Sequence, residues 1–161
     1  MPNKTKNLLA KSGLDDIDLL LLELLSKNAR MTNAELAQKA GIAQSTCIAR
    51  VRSLTKRGVI SSFTTNIEPG AVGLGLQVLI WVTLRASARQ QLSNFMAEMR
   101  DFPEVLQVFF LGGSEDFIVH LAARDSDHVR EFVLENLSAN AAVANTRTSL
   151  VFEHFHKGVI G

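Results

Sequence analysis

The stretch TNAELAQKAGIAQSTCIARVRSLTKRG, Thr32 to Gly58, decides the architecture of the first half of this 161-residue chain. Thr32 followed three residues later by Glu35 is a capping box: the Thr hydroxyl accepts a backbone N–H of the first turn, and the Glu carboxylate reaches back to the Thr N–H. Leu36 and Ala40 then lie one turn apart, as the inner face of a helix of about eight residues. Gly41 reads as the left-handed residue that ends it. After the short Gly41–Ala43 connection a further helix is predicted from about Gln44 to Arg57. Cys47, Val51 and Leu54 form its buried stripe, and Gly58 stops it. Two short helices joined this tightly cross steeply, as a helix-turn-helix requires.

A helix upstream completes the bundle. Leu14, Ile17, Leu21 and Leu25 recur every three or four residues, predicting a helix from about Asp15 to Asn28. Asp15, Asp16 and Asp18 fall in its first turn, where carboxylates oppose the positive end of the helix dipole. Leu19 and Leu20 fall off the main face. Residues 1–13 are polar and basic and read as a flexible arm. No apolar signal core precedes the first helix, so nothing directs export. The apolar run Ile17–Leu25 is broken by Asp18 and Glu23 and is far too short to span a membrane. The single cysteine, Cys47, rules out a disulfide framework within the chain and suits a reducing cytoplasm.

The formal charge of +1 conceals a division. Residues 1–66 carry ten Lys/Arg against five acids, whereas residues 67–161 carry seven against eleven. A basic front half suits a polyanion such as DNA, and an acidic back half is repelled by one. With Cys47, Val51 and Leu54 inward, the predicted third helix turns Ser45, Ala49, Arg52 and Lys56 outward. Arg50 and Arg57 flank that row, and Gln44 sits at its exposed start. A helix fits the major groove with its N-terminal residues near base edges. Arg52 is matched to guanine, Gln44 to adenine and Ala49 to a thymine methyl. Ser45 and Thr46 suit phosphate or base contacts, and Lys56 and Arg57 suit phosphates.

The segment Val59–Ile67 is rich in β-branched residues and reads as a strand, and the turn formers of 68–75 mark a linker. The rest reads as strand (about Leu76–Leu84), helix (about Arg89–Arg100), strand (about Val105–Leu111), strand (about Phe117–Ala123), helix (about Asp127–Leu137) and strand (about Arg147–Phe155). That order, βαββαβ, is the ferredoxin-like split βαβ arrangement. The expected organisation is therefore α+β: an arm over 1–13, a winged-type helix-turn-helix over 14–60, a strand and linker over 61–75, and a ferredoxin-like domain over 76–161. Both helices cover one side of such a sheet. Val78, Ile80 and Val82 alternate with Leu79 and Trp81, and Leu150 and Phe152 with Val151 and Phe155, so the uncovered side is apolar too. An apolar sheet face left in water invites a second copy of the chain.

Several stretches together resemble the Lrp/AsnC family of regulators. They are Leu14-Asp15-Asp16-Ile17-Asp18, Arg30 to Leu36, Cys47 to Leu54 with Gly58-Val59-Ile60, Gly112 with Asp116-Phe117, and Asn145-Thr146-Arg147-Thr148. The resemblance implies a transcription regulator that binds double-stranded DNA as dimers built into larger rings, commonly octamers, on the nucleoid in the cytoplasm. It implies a C-terminal domain similar to ACT-type (RAM-type) sensing folds, binding an amino acid or related metabolite between dimers. Gln44 and Thr46 stand where family members often carry prolines, and the usual Gly-x-x-Asp turn is one residue longer here, Gly112 to Asp116.

An amino-acid effector needs an anchor for its carboxylate and an acceptor for its ammonium. Gly112 and Gly113 are candidates for a nest of backbone N–H groups that holds the carboxylate. Asp116 is the candidate acceptor, with Glu115 as the alternative. Thr146, Thr148 and Ser149 offer hydroxyls on the final strand. The histidines (His120, His128, His154, His156) make no ligand-like cluster, and His154 and His156 at spacing two are a weak metal pattern. No cofactor, metal or catalytic set is expected. The competing reading is a nucleoid-organising protein of the same fold that wraps DNA without an effector.

Overall fold

The computed structural model describes residues 13–155, and these divide into two compact units, the first ending at Thr65 and also taking in Phe155, the second spanning Asn66–His154. The expected arm lies, Gly13 apart, outside the described residues, as does His156.

The first unit is three helices, α1 (Asp16–Lys27), α2 (Asn33–Ala40) and α3 (Gln44–Lys56). Asp15 caps α1, its Oδ1 accepting the Asp18 N–H at 2.8 Å. At the start of α2 the capping box is complete: Thr32 Oγ1 accepts the Glu35 N–H, and Glu35 Oε2 accepts the Thr32 N–H at 2.7 Å. The Thr32 N–H first, and next the Thr32 hydroxyl, which donates to Glu35 Oε2 at 2.7 Å, hold the Glu35 carboxyl below the usual carboxylate range. Gly41 ends α2 at φ +65°, and the Ile42 N–H closes back on the Ala37 carbonyl at 3.0 Å. A side chain disfavours this backbone region, so glycine is the natural occupant. Leu21, Leu25, Leu36, Ala37, Ala40 and Cys47 form the core, with Leu20 and Val51 packed against it. Leu54 is also fully buried. Each fully buried Leu contributes about 1.5–3 kcal/mol. Burial also pushes the Cys47 thiol up, so it stays a protonated core residue.

The strand expected over Val59–Ile67 is not formed. The Val59 and Ile60 N–H groups both donate to the Leu54 carbonyl, closing the end of α3. The chain beyond is irregular as far as a single 3-10 turn at Pro69–Val72. A β-branched run becomes a strand only beside a partner, and the described residues offer it none.

The second unit has the ferredoxin-like order: β1 (Leu76–Leu84), α4 (Leu92–Arg100), β2 (Val105–Phe110), β3 (Phe117–Ala123), α5 (Ser126–Phe132) and β4 (Val143–Val151). The four strands lie in the order β2-β3-β1-β4, and every neighbouring pair is antiparallel. β1 is central. Its Val78, Ile80, Val82 and Leu84 face the helices and are buried with Phe95, Met99, Phe117, Val119, Leu121, Phe132 and Leu137.

Three element bounds differ from expectation. A 3-10 turn over Ala86–Gln91 precedes α4. The second long helix changes pitch at Val133–Ser138, where the Ala139 N–H reaches the Leu134 carbonyl, five residues back. Asn136 Nδ2 donates to the Phe132 carbonyl there at 3.2 Å. The wider turn keeps Leu137 in the core while leaving Leu134 exposed. The last strand lies four residues earlier than predicted. Val143 pairs with Leu84 and Val151 with Gln77, and the pairing stops before Phe152 and Phe155.

Candidate functional site

The outward surface of α3 is a shallow concavity lined by Ser45, Ile48, Ala49, Arg52, Ser53 and Lys56. Gln44 and Thr46 are also exposed. Ala43, the residue at the helix N-cap, makes no side-chain capping bond, and the first turn carries no acid. The helix start is thus open and positive, suited to an anion such as a DNA phosphate.

Two of the predicted contact residues are engaged elsewhere. Arg50 Nη1 bonds Asp15 Oδ2 at 2.7 Å and Asp18 Oδ1 at 2.8 Å. Asp15 is thereby held below the ordinary carboxylate range, chiefly by the Asp18 N–H and next by Arg50. Asp18 is itself buried, so this double ion pair ties α3 to α1 and sets the tilt of the helix. Arg57 Nη2 donates to the Gly13 carbonyl at 3.1 Å, which ties the end of α3 to the chain ahead of α1. The sequence shows a run of bases; only the fold separates those that point out from those that brace the helix. Ile48, which the sequence reading leaves unassigned, is 45% exposed and shares the surface of Arg52.

In the second unit the turn before β3 meets the end of β1. The Asp116 N–H donates to the Val82 carbonyl at 3.0 Å, and its Oδ2 accepts the Leu84 N–H at 2.7 Å. This carboxylate covers the place where the β1–β4 register shifts, between Thr83 and Leu84. It is buried, and one of its oxygens is committed to the backbone. Gly112 and Gly113 are exposed, but neither has a positive φ, so the left-handed form of a nest is not present. A Cβ at either would meet nothing within 4 Å. Thr146 and Thr148 pair with Val82 and Ile80 and so lie on the helix side of the edge strand. Ser149 pairs with Leu79 and lies on the other side. The six sensor candidates therefore do not converge on one face.

The opposite, helix-free face carries Leu79, Trp81, Phe109 and Ile118. Arg147 stacks over the Trp81 ring at 4.1 Å, and its Nη2 lies 3.7 Å from Glu115 Oε1. Glu115 is thus directed to this face, away from Asp116's bond with β1. His120 is buried on the same side, its Nε2 2.9 Å from Gln77 Oε1 and its ring against His154. Among the described residues no group of three or more His, Cys, Asp or Glu is placed to hold a metal ion, and no helix is long and apolar enough to cross a membrane.

Both units match known families. Residues 14–61 match the winged helix-turn-helix DNA-binding profile and residues 77–159 the Lrp/AsnC ligand binding domain. The chain is 50% identical over 153 residues to the HTH-type transcriptional regulator AldR of Mycolicibacterium smegmatis, covering 95% of this chain and 89% of the relative. It is 52% identical over 141 residues to AldR of Mycobacterium tuberculosis, covering 88% and 79%. A solved transcriptional regulator of Neisseria meningitidis, in complex with L-Met, superposes with a TM-score of 0.81 at 32% identity, covering 89% and 93%. The two profiles span both units, and the identity extends over most of the chain. The chain belongs to the Lrp/AsnC family and is a DNA-binding transcription regulator, a helix-turn-helix joined to a ligand-binding domain.

Proposed function

We propose that this regulator reads a DNA site through the outward face of α3 and couples that reading to an amino-acid-like effector through its own assembly. Ser45, Ala49 and Arg52 face base edges, Gln44 and Thr46 the groove at the helix start, and Lys56 a phosphate. Arg50 and Arg57 position the helix. The observation that carries the reading is the exposed, acid-free row on α3. Its tilt is set by the Arg50 ion pairs.

The sheet unit is proposed to associate through its helix-free face, giving dimers and then a larger ring, an octamer when complete. Leu79, Trp81, Phe109 and Ile118 support this, because an apolar face is stabilised by a second one. The effector is proposed to bind near the Gly112–Asp116 turn, with Gly112 and Gly113 leaving room for it and Thr146 and Thr148 offering hydroxyls. Asp116 acts there chiefly by fixing the turn. The L-Met bound to the Neisseria meningitidis relative supports an amino acid as effector. No catalytic step or other cofactor is assigned, and the place of action is the cytoplasm, on nucleoid DNA.

Coupling requires that the effector bind one assembly better than another. The test is selection of duplexes from a random pool, followed by light scattering and DNA binding with a panel of amino acids. The proposal expects a preferred sequence, a mass above the monomer, and one or more amino acids that change either quantity. Binding without sequence preference would favour the nucleoid-organising reading; a panel without effect would remove the sensing.

A further inference from the structure

We propose that Ile48 is a specificity-determining residue that reads the 5-methyl group of a thymine in the major groove. The inference rests on the DNA-reading role of α3 and names one base for it. Among the described residues of α1, α2 and α3, Ile48 is the exposed large hydrophobic side chain. It takes no part in the core, which draws instead on Val51 and Cys47 of the same helix. At about 3.6 residues per turn it sits roughly 40° around the helix from Arg52 and 60° from Ser45. It therefore lies inside the DNA-facing surface, beside the side chain matched to guanine.

The chemistry of that position is specific. The major groove presents one apolar group, the thymine methyl, and polar atoms otherwise. An exposed isoleucine gains nothing from water and loses it on meeting that methyl. Its branched Cβ stiffens χ1, so little rotamer freedom is lost on contact. Ala49, on the other side of Arg52, is too short to cover a methyl to the same extent. One helical turn separates Ile48 from Arg52, so the thymine falls within about two base pairs of the guanine.

The experiment uses the full-length protein and the tightest duplex recovered from a random-sequence pool. Each thymine is replaced in turn by deoxyuridine, which deletes only the methyl. The proposal expects one or two positions at which the wild type loses roughly three- to five-fold in affinity, the factor for one methyl removed from water. Ile48→Ala should lose a similar factor on the thymine duplex and be indifferent to deoxyuridine at those positions. Ile48→Val, which keeps branched methyls, should retain the discrimination. The proposal is overturned if deoxyuridine has no effect on the wild type at any position. It is equally overturned if Ile48→Ala keeps the full penalty, or if Ile48→Ala alters the mass by light scattering with the deoxyuridine pattern intact. If no duplex outcompetes random DNA, the reading role of α3 falls, and this assignment with it.

Discussion

Replacing Asp116 by alanine is expected to destabilise the ligand-binding unit, whatever it also does to an effector. Asp116 Oδ2 accepts the Leu84 N–H at 2.7 Å, and Asp116 and Leu84 are 9% and 3% exposed. The β1–β4 register shifts between Thr83 and Leu84, so β4 supplies no regular ladder bond at that point. Deleting the carboxylate strands a buried donor. A hydrogen bond to a charged group contributes about 1.5–3 kcal/mol, and a stranded buried donor costs a similar amount, so a loss of about 2–3 kcal/mol is expected. Asp116→Asn keeps an acceptor at the same place and should lose only about 1 kcal/mol. Trp81, the single tryptophan, lies on β1 and reports this unit directly. Urea unfolding followed by its fluorescence, at fixed protein concentration, gives both values. Equal midpoints for wild type and Asp116→Ala would refute the structural role of the carboxylate, as would an alanine variant no worse than the asparagine one.

Other perturbations separate the two units. Gly41→Ala should cost about 1 kcal/mol in thermal unfolding of the helical unit, because φ is +65° while the added Cβ meets nothing within 4 Å; a neutral result would count against the left-handed turn. His120 is held below the usual histidine range by burial first and by His154 second. The unfolded chain therefore takes up the proton first as pH falls. Stability should decline below the ordinary histidine range and level off once the folded imidazole is also charged. Unfolding midpoints across pH for wild type and His120→Gln check this, and a slope unchanged by the substitution would contradict it. Phe109→Glu puts a charge on the helix-free sheet face and should lower the mass seen by light scattering; an unchanged mass would move the association surface elsewhere.

The helix-turn-helix was legible almost to the residue because its signals are local. The Thr32–Glu35 box, the glycine at 41 and the Cys47, Val51 and Leu54 stripe each act within a few residues, and each is present in the structure. β1 and β3 were legible for a similar reason, being short apolar runs between turn formers. What sequence missed depends on partners distant in the chain. Ala144 and Asn145 are poor strand formers, yet β4 begins at Val143 because the end of β1 is there to pair with it. Val59–Ile67 has the composition of a strand and lacks a neighbour. Arg50 reads in sequence as one more outward base; its ion pairs with Asp15 and Asp18, more than thirty residues away, are visible only in the fold. The sensor candidates were the least legible: alternation alone separates Ser149 from Thr146 and Thr148, but which face each takes depends on the β1–β4 register.

Two alanine variants test side by side whether the outward row of α3 reads DNA. Binding of Arg52→Ala and Lys56→Ala to a selected duplex and to a scrambled one, over a range of salt, measures specificity and phosphate contact separately. Arg52→Ala should lose about 1–3 kcal/mol on the selected duplex, with most of its discrimination at one base pair. Lys56→Ala should weaken both duplexes alike and reduce the salt slope by about one. Wild-type affinity and wild-type discrimination in both variants would contradict the claim that this helix face reads DNA.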